Sequence, residues 1–176
     1  MLRKRLLVLS FAAVGLAACN QRSATPSQSK IGVVAAGEIG SRLPDFSVKD
    51  LQGREISSAD LRGKVVLIDF WATWCQPCKQ EMPGYQKLLD RSGSRGLAVV
   101  GFKFDTMMDM EDPLLFANKI GVHYSLAVAT DDLKQKFGGI EGLPTTMLYD
   151  RQGVLRKKVV GFEYTSVIEA ELKPLL

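Results

Sequence analysis

The stretch Val65-Val66-Leu67-Ile68-Asp69-Phe70-Trp71-Ala72-Thr73-Trp74-Cys75-Gln76-Pro77-Cys78-Lys79 sets two cysteines three positions apart, where an apolar run hands over to a helix-periodic one. Val65 to Phe70 is short, apolar and rich in β-branched residues, the pattern of a strand covered on both faces. Beyond it Met82, Tyr85, Leu88 and Leu89 recur at helical spacing, so the cysteines fall in the first turn of a helix. Positions i and i+3 share a helix face roughly 5–6 Å apart, within the span of a disulfide. At the tip, Cys75 would face unpaired N–H groups and the positive end of the helix dipole, which favour a thiolate over a thiol. Cys75 is therefore the expected attacking sulfur. Cys78, one turn further in and more buried, is the expected resolving sulfur. Pro77 fits a first turn, where a missing N–H costs no hydrogen bond.

A Cys-x-x-Cys pair also opens structural zinc sites, but those need about two further ligands at matching spacing. The only other cysteine is Cys19 and the only histidine is His123, and they form no second pair. A redox centre is the reading that remains, with no metal and no cofactor.

Around this centre the chain resembles the thioredoxin superfamily, and within it the periplasmic thiol-disulfide oxidoreductases of the TlpA/ResA type. The resemblance runs from about Leu43 to Leu176. It rests on Leu43-Pro44-Asp45-Phe46, the Trp71 to Lys79 motif, Pro83, Gly142-Leu143-Pro144-Thr145-Thr146 and Gly161. It implies a thioredoxin-like α/β fold: a central mixed sheet flanked by helices, with an amino-terminal β-hairpin and a central αβ insertion.

The segment assignments follow that order. Strands are expected near Asp45 to Val48 and Arg54 to Ile56 around the turn Asp50-Leu51-Gln52-Gly53, then strand 65–70, helix 76–91 and strand 97–104 as a βαβ unit. Asp112-Pro113 opens a helix, Ser125 to Val128 is a strand and Asp131 to Phe137 a helix. Thr145 to Tyr149 and Val154 to Val160 should pair across Asp150-Arg151-Gln152-Gly153. Ser166 and Glu169 read as a capping box for the last helix.

The start of the chain reads as an export signal: Arg3, Lys4 and Arg5 precede the apolar run Leu6 to Ala18, too short to span a bilayer comfortably. Leu16-Ala17-Ala18-Cys19 resembles a lipobox, which makes residues 1–18 a signal peptide and Cys19 the lipidated residue. Residues 19–40, rich in Ser, Gln, Ala, Thr and Gly, read as a tether, and 41–176 as one domain. The formal net charge is +4. Three of those excess positive charges lie in the signal, so the mature chain would carry +1. Nucleic acid is thus discounted as a partner, and Arg156-Lys157-Lys158 is read as a solvated or edge strand face. The expected location is the bacterial cell envelope, facing the periplasm or the outer side of the cell membrane.

The resemblance also implies supporting roles. Asp69, an acid inside an apolar strand, would be costly unless it served a purpose; in thioredoxin the acid here lies beneath the disulfide and moves protons for the resolving cysteine. Many TlpA-type proteins have a polar non-acidic residue there instead. Glu81, on the helical face of Cys78, matches an active-site glutamate of the TlpA/ResA type. Pro144 matches the family's cis-proline, with Leu143 offering backbone groups to a substrate strand. Trp74, Gln76, Pro77 and Gly161 complete the expected substrate surface, and Trp71 is assigned to the core. Were both acids near the thiols, their titrations would couple.

Strong oxidants of the superfamily carry a histidine between the cysteines, and Gln76-Pro77 has none. The implied activity is reduction of protein disulfides, with a membrane electron donor, the membrane itself through the lipid anchor, and a monomeric state; apocytochrome c maturation is one target the resemblance suggests. Two alternatives come from other classes. A peroxidase would need Thr-x-x-Cys, but Ala72 holds the threonine position. A Cu(I) chaperone could recruit Met107, Met108 and Met110, although loop or substrate-contact methionines are the commoner outcome of such a run.

Overall fold

The computed structural model describes residues 34–109 and 111–176. Five strands form the main sheet in the order β5-β4-β3-β6-β7: β3 (Val65–Trp71), β4 (Leu97–Lys103), β5 (Ser125–Val128), β6 (Thr145–Tyr149) and β7 (Leu155–Val160). The first three run parallel, while β6 and β7 run antiparallel to their neighbours, so the sheet is mixed. The hairpin of β1 (Ser47–Lys49) and β2 (Glu55–Ser57) is a separate two-stranded sheet. It meets the edge of the main sheet through the Leu51 N–H, which donates to the Leu126 carbonyl at 2.6 Å. Helices α1 (Gln76–Ser92), α2 (Pro113–Lys119), α3 (Asp131–Lys136) and α4 (Thr165–Leu172) complete the layers. This is the thioredoxin-like arrangement expected above, with α2 and β5 as the insertion and β5 at the sheet's edge.

All seven residues of β3 are buried, and their alternation sorts two cores. Val65, Leu67 and Trp71 pack with Cys78, Met82, Tyr85 and Leu88 of α1, with Phe116 of α2 and with Ile168 and Leu172 of α4. Val66, Ile68 and Phe70 face the other way, against Phe46, Phe102, Leu133, Phe137 and Tyr149. The second core is largely aromatic. Phe137 is fully buried and its ring lies 5.3 Å from Phe70, 5.6 Å from Phe102 and 6.1 Å from Phe46. Asp69 falls in the first series, on the α1 side.

The two turns read from sequence use one device. Asp50 Oδ1 accepts the N–H groups of Gln52 and Arg54, and Asp150 Oδ1 accepts those of Gln152 and Val154. The second oxygen of each binds an arginine, Arg54 or Arg156. Arg156, Lys157 and Lys158 do lie on the edge strand β7.

Two expectations need correction. Ser166 does not cap α4: the helix begins at Thr165 with Tyr164 as its cap residue and no side-chain cap bond. Glu169 instead pairs with Arg91 and Lys173, because one turn into the helix its side chain reaches cations of α1 and of its own last turn. The assigned tether also ends too late. Residues 36–40 pack on the domain: the Gly40 N–H donates to the Leu155 carbonyl at 2.9 Å, and a Cβ on Gly37 would lie 2.3 Å from the Phe137 carbonyl oxygen. Cys19 and the signal segment 1–18 lie outside the described residues.

Replacing Phe137 with Ala would open a void among four rings and should cost about 3–5 kcal/mol, measured as a lower midpoint in urea with an unchanged dependence on denaturant.

Candidate active site

The α1 helix begins where β3 ends, at the carboxyl end of the parallel strands. Cys75 is its cap residue and Pro77 lies in its first turn. Cys75 and Cys78 are joined as a disulfide with Cα atoms 5.3 Å apart. The Cys75 sulfur accepts the backbone N–H of Cys78 at 3.3 Å, so it faces the helix's unpaired donors as the spacing predicts. Both residues are buried, Cys78 completely and Cys75 to within 3%. The contrast in burial is thus smaller than expected.

Two carboxyls near the motif in sequence are buried. Asp69 sits at the centre of the sheet, opposite Gly101 of β4 and Thr146 of β6. Its side chain is fully buried, its Oδ1 has no partner, and its Oδ2 accepts the Tyr124 hydroxyl at 3.4 Å. Glu81, one turn past Cys78, is 1% exposed; its Oε2 accepts the Glu163 N–H at 3.3 Å and its Oε1 has no partner. Tyr85 joins its hydroxyl to that of Thr146 at 2.9 Å. Burial, and then the charge of Glu81, push the Asp69 carboxyl well above the usual carboxylate range, against the pull of the Tyr124 hydroxyl. Burial likewise pushes Glu81 up to about 7, opposed by the Glu163 N–H and Tyr85. The charge of Glu81 thus reaches Asp69 through the interior.

A second polar network, missed from sequence, holds the motif loop from outside. Lys103, at the end of β4, is buried; its Nζ lies 2.7 Å from Asp109 and 3.2 Å from Asp105. Asp109 accepts the Thr73 hydroxyl and the Thr106 N–H, and Thr106 in turn accepts the Trp74 Nε1–H at 2.9 Å. The loop after β4 is thereby latched to the turn that precedes Cys75. A lysine ending an apolar strand, with two aspartates in the next six residues, was the one available signal.

The remaining assignments can be located. Trp74 is 38% exposed beside Cys75, while Trp71 is buried and stacked on Phe116 at 5.4 Å. A groove lined by Thr73, Trp74, Lys79, Met108 and Glu111 adjoins the motif. The Leu143–Pro144 peptide is cis. The Pro144 carbonyl accepts the Gly161 N–H at 2.8 Å, and Gly161 has φ 96°, a conformation that favours glycine. Leu143 makes no backbone hydrogen bond among the described residues. Gln76 is exposed in the first turn of α1 and His123 is exposed in a loop. Met107 and Met108 are exposed, Met110 lies outside the described residues, and no cluster of three His, Cys, Asp or Glu side chains suited to a metal occurs among the described residues. Pro83 lies within α1, which continues past it.

With this geometry in hand, comparison with known proteins assigns the fold and the chemistry. The profile of the AhpC/TSA family matches residues 39–158. The chain belongs to the AhpC/TSA family. It is 33% identical over 142 residues to the thiol-disulfide oxidoreductase ResA of Bacillus thuringiensis (strain Al Hakam), covering 78% of this chain and 79% of that one. It is also 33% identical over 149 residues to the thioredoxin-like protein YneN of Bacillus subtilis (strain 168), covering 84% of each. A crystal structure of a thioredoxin-family thiol:disulfide interchange protein from Chlorobium tepidum TLS superimposes with a TM-score of 0.71 at 29% identity, covering 80% of this chain and 99% of that chain. This AhpC/TSA member, with its Cys75–Cys78 pair, is a thiol-disulfide oxidoreductase.

Two measurements check the electrostatics. Lys103→Met should strand the Asp109 charge, 11% exposed, and cost about 3 kcal/mol of stability; adding Asp109→Asn should recover part of the loss in the same denaturant titration. For Glu81 the sign is set by its raised pKa: between its ordinary 4.5 and about 7 the native state binds more protons than the unfolded chain, so stability falls as pH rises. Glu81→Gln should therefore match the parent near pH 4 and exceed it at pH 8, compared by urea unfolding at both pH values.

Proposed function

We propose that this protein reduces disulfides in other proteins outside the cytoplasm. The observation that carries the reading is the placement of Cys75 as the cap of α1, its sulfur on a helical N–H, with only Gln76 and Pro77 between it and Cys78. The Cys75 thiolate attacks a substrate disulfide, a mixed disulfide forms, and Cys78 displaces the substrate thiol, leaving Cys75–Cys78 oxidised. Two electrons pass from the cysteine pair to the substrate.

Asp69 and Glu81 exchange the protons of this cycle, their raised affinity for protons suiting the task at neutral pH. Trp74, Gln76, Pro77, Leu143, Pro144 and Gly161 form the substrate-facing surface, with the backbone of Leu143, which makes no backbone hydrogen bond among the described residues, available to an extended chain. The ResA relative supports the same chemistry here, and apocytochrome c or another dedicated protein is the kind of target we assign. Cys19 carries the lipid that holds the domain at the membrane, and re-reduction comes from a membrane electron donor. The protein acts as a monomer at the periplasmic or outer face of the cell membrane; no helix among the described residues is long and apolar enough to cross it.

Equilibration of the purified domain against glutathione buffers tests the direction. A reductant should show a potential well below about −180 mV, and a more oxidising value would overturn the reading.

A further inference from the structure

The Tyr124 hydroxyl comes from the segment just before β5, far in sequence from the cysteines, yet it is the only donor that reaches Asp69 among the described residues. Its approach depends on a gap in β4. Gly101 is the strand neighbour of Asp69 on the α1 side of the sheet. A Cβ at that position would lie 2.5 Å from Leu126 Cδ2, 3.0 Å from Trp71 Nε1 and 3.1 Å from Tyr124 Cε2. A side chain at Gly101 would crowd the tyrosine ring, whose oxygen lies 3.4 Å from Asp69 Oδ2. The ring is 5% exposed, so water does not compete for that bond.

We propose that Tyr124 is a positioning residue for the resolving step, fixing the Asp69 carboxyl and holding it ready to accept the proton of Cys78. The inference rests on the reading of Asp69 as a proton carrier. In the step concerned, the Cys78 thiol gives its proton to the Asp69 carboxylate. The Cys78 thiolate then attacks the Cys75 sulfur of the mixed disulfide, the Cys75–Cys78 bond forms, and the substrate leaves as a thiolate.

A hydrogen bond donated to Oδ2 stabilises the ionised carboxyl, the form that can take a proton. The other groups around Asp69 do not do this. From α1 come Glu81, a second acid, and Tyr85, whose hydroxyl is engaged by Thr146 of β6; Glu163, after β7, lends its N–H to Glu81. On β4, the ammonium of Lys103 is taken by Asp109 and Asp105. Asp69 Oδ1 remains without a partner, so Tyr124 supplies the one contact that favours its charge.

The test uses the reduced domain mixed with 5,5′-dithiobis(2-nitrobenzoate), whose two coloured thiolates are released in turn, first by attack of Cys75 and then by resolution through Cys78. The rate of the second release is followed against pH in the parent, Tyr124→Phe, Asp69→Asn and the double variant. In Tyr124→Phe the midpoint of the second phase should move to higher pH by about one unit, a tenfold change, with the first phase unchanged. In the Asp69→Asn background the same substitution should change nothing further. A Tyr124→Phe profile that superimposes on the parent, while Asp69→Asn shifts it, overturns the role of Tyr124 alone. A second phase indifferent to Asp69→Asn overturns the proton-carrier reading itself. An equal shift by Tyr124→Phe in both backgrounds would show a merely structural effect and also overturn the proposal. Phenylalanine keeps the ring in the space left by Gly101, and near-parental thermal unfolding verifies that the variant is folded.

Discussion

Because every side chain of β3 is buried, the strand's twofold alternation decides which residues meet which helix. Val65, Leu67, Asp69 and Trp71 are committed together to the α1 side, so an acid at position 69 has no route to water. An ionised carboxyl there is costly. The surroundings answer by raising its proton affinity and by giving one oxygen a tyrosine donor, rather than by pairing it with a cation. The resulting acid, buried at the centre of the sheet between Gly101 and Thr146, is what distinguishes this core from an ordinary aliphatic one.

The second acid follows from the same constraint. Glu81 is one helical turn from Cys78 and on the same face, so burying the cysteine buries the glutamate. The charge of Glu81 adds to burial in raising the cost of ionising Asp69, while burial alone leads the rise at Glu81. A dithiol that must lose and regain protons as it cycles is well served by such a reservoir. Outside the pocket, the Lys103–Asp109 ion pair solves a different problem. It orders the loop after β4 against Thr73 and Trp74, so the surface beside Cys75 is held by a buried charge pair and not by packing alone.

Most of the fold was legible because the local signals agreed. The β-branched run at 65–70, the cap-and-proline start at Asp112-Pro113 and the two Asp-x-x-Gly turns each marked an element that formed within a residue or two of its expected bounds. The last helix was misread at its start because Ser166 and Glu169 satisfy the capping pattern in sequence, while Glu169 in the folded chain is claimed by Arg91 and Lys173. Of the site, Cys75 and Cys78 are joined, Asp69 and Glu81 are buried and the bond before Pro144 is cis. Tyr124 and Gly101 did not announce themselves, and Lys103 did so only through the aspartates that follow it. A tyrosine between His123 and Ser125 reads as a core aromatic, and a glycine in a strand reads as a weakness.

The sequence by itself determined the chemistry of the centre. Three-residue spacing at a strand-to-helix junction leaves few outcomes other than a redox pair, because the helix brings the sulfurs within bonding reach and presents its donors to the first of them. Only the tertiary structure decided the environment in which that pair works. The opening at Gly101 that admits Tyr124 and the latch from Lys103 to Trp74 join segments more than twenty residues apart, and the burial of Asp69 and Glu81 depends on both layers. Their energies come from burial and from hydrogen bonds made in a dry interior, quantities that no local pattern carries and that exist only once the sheet and its helices have closed around them.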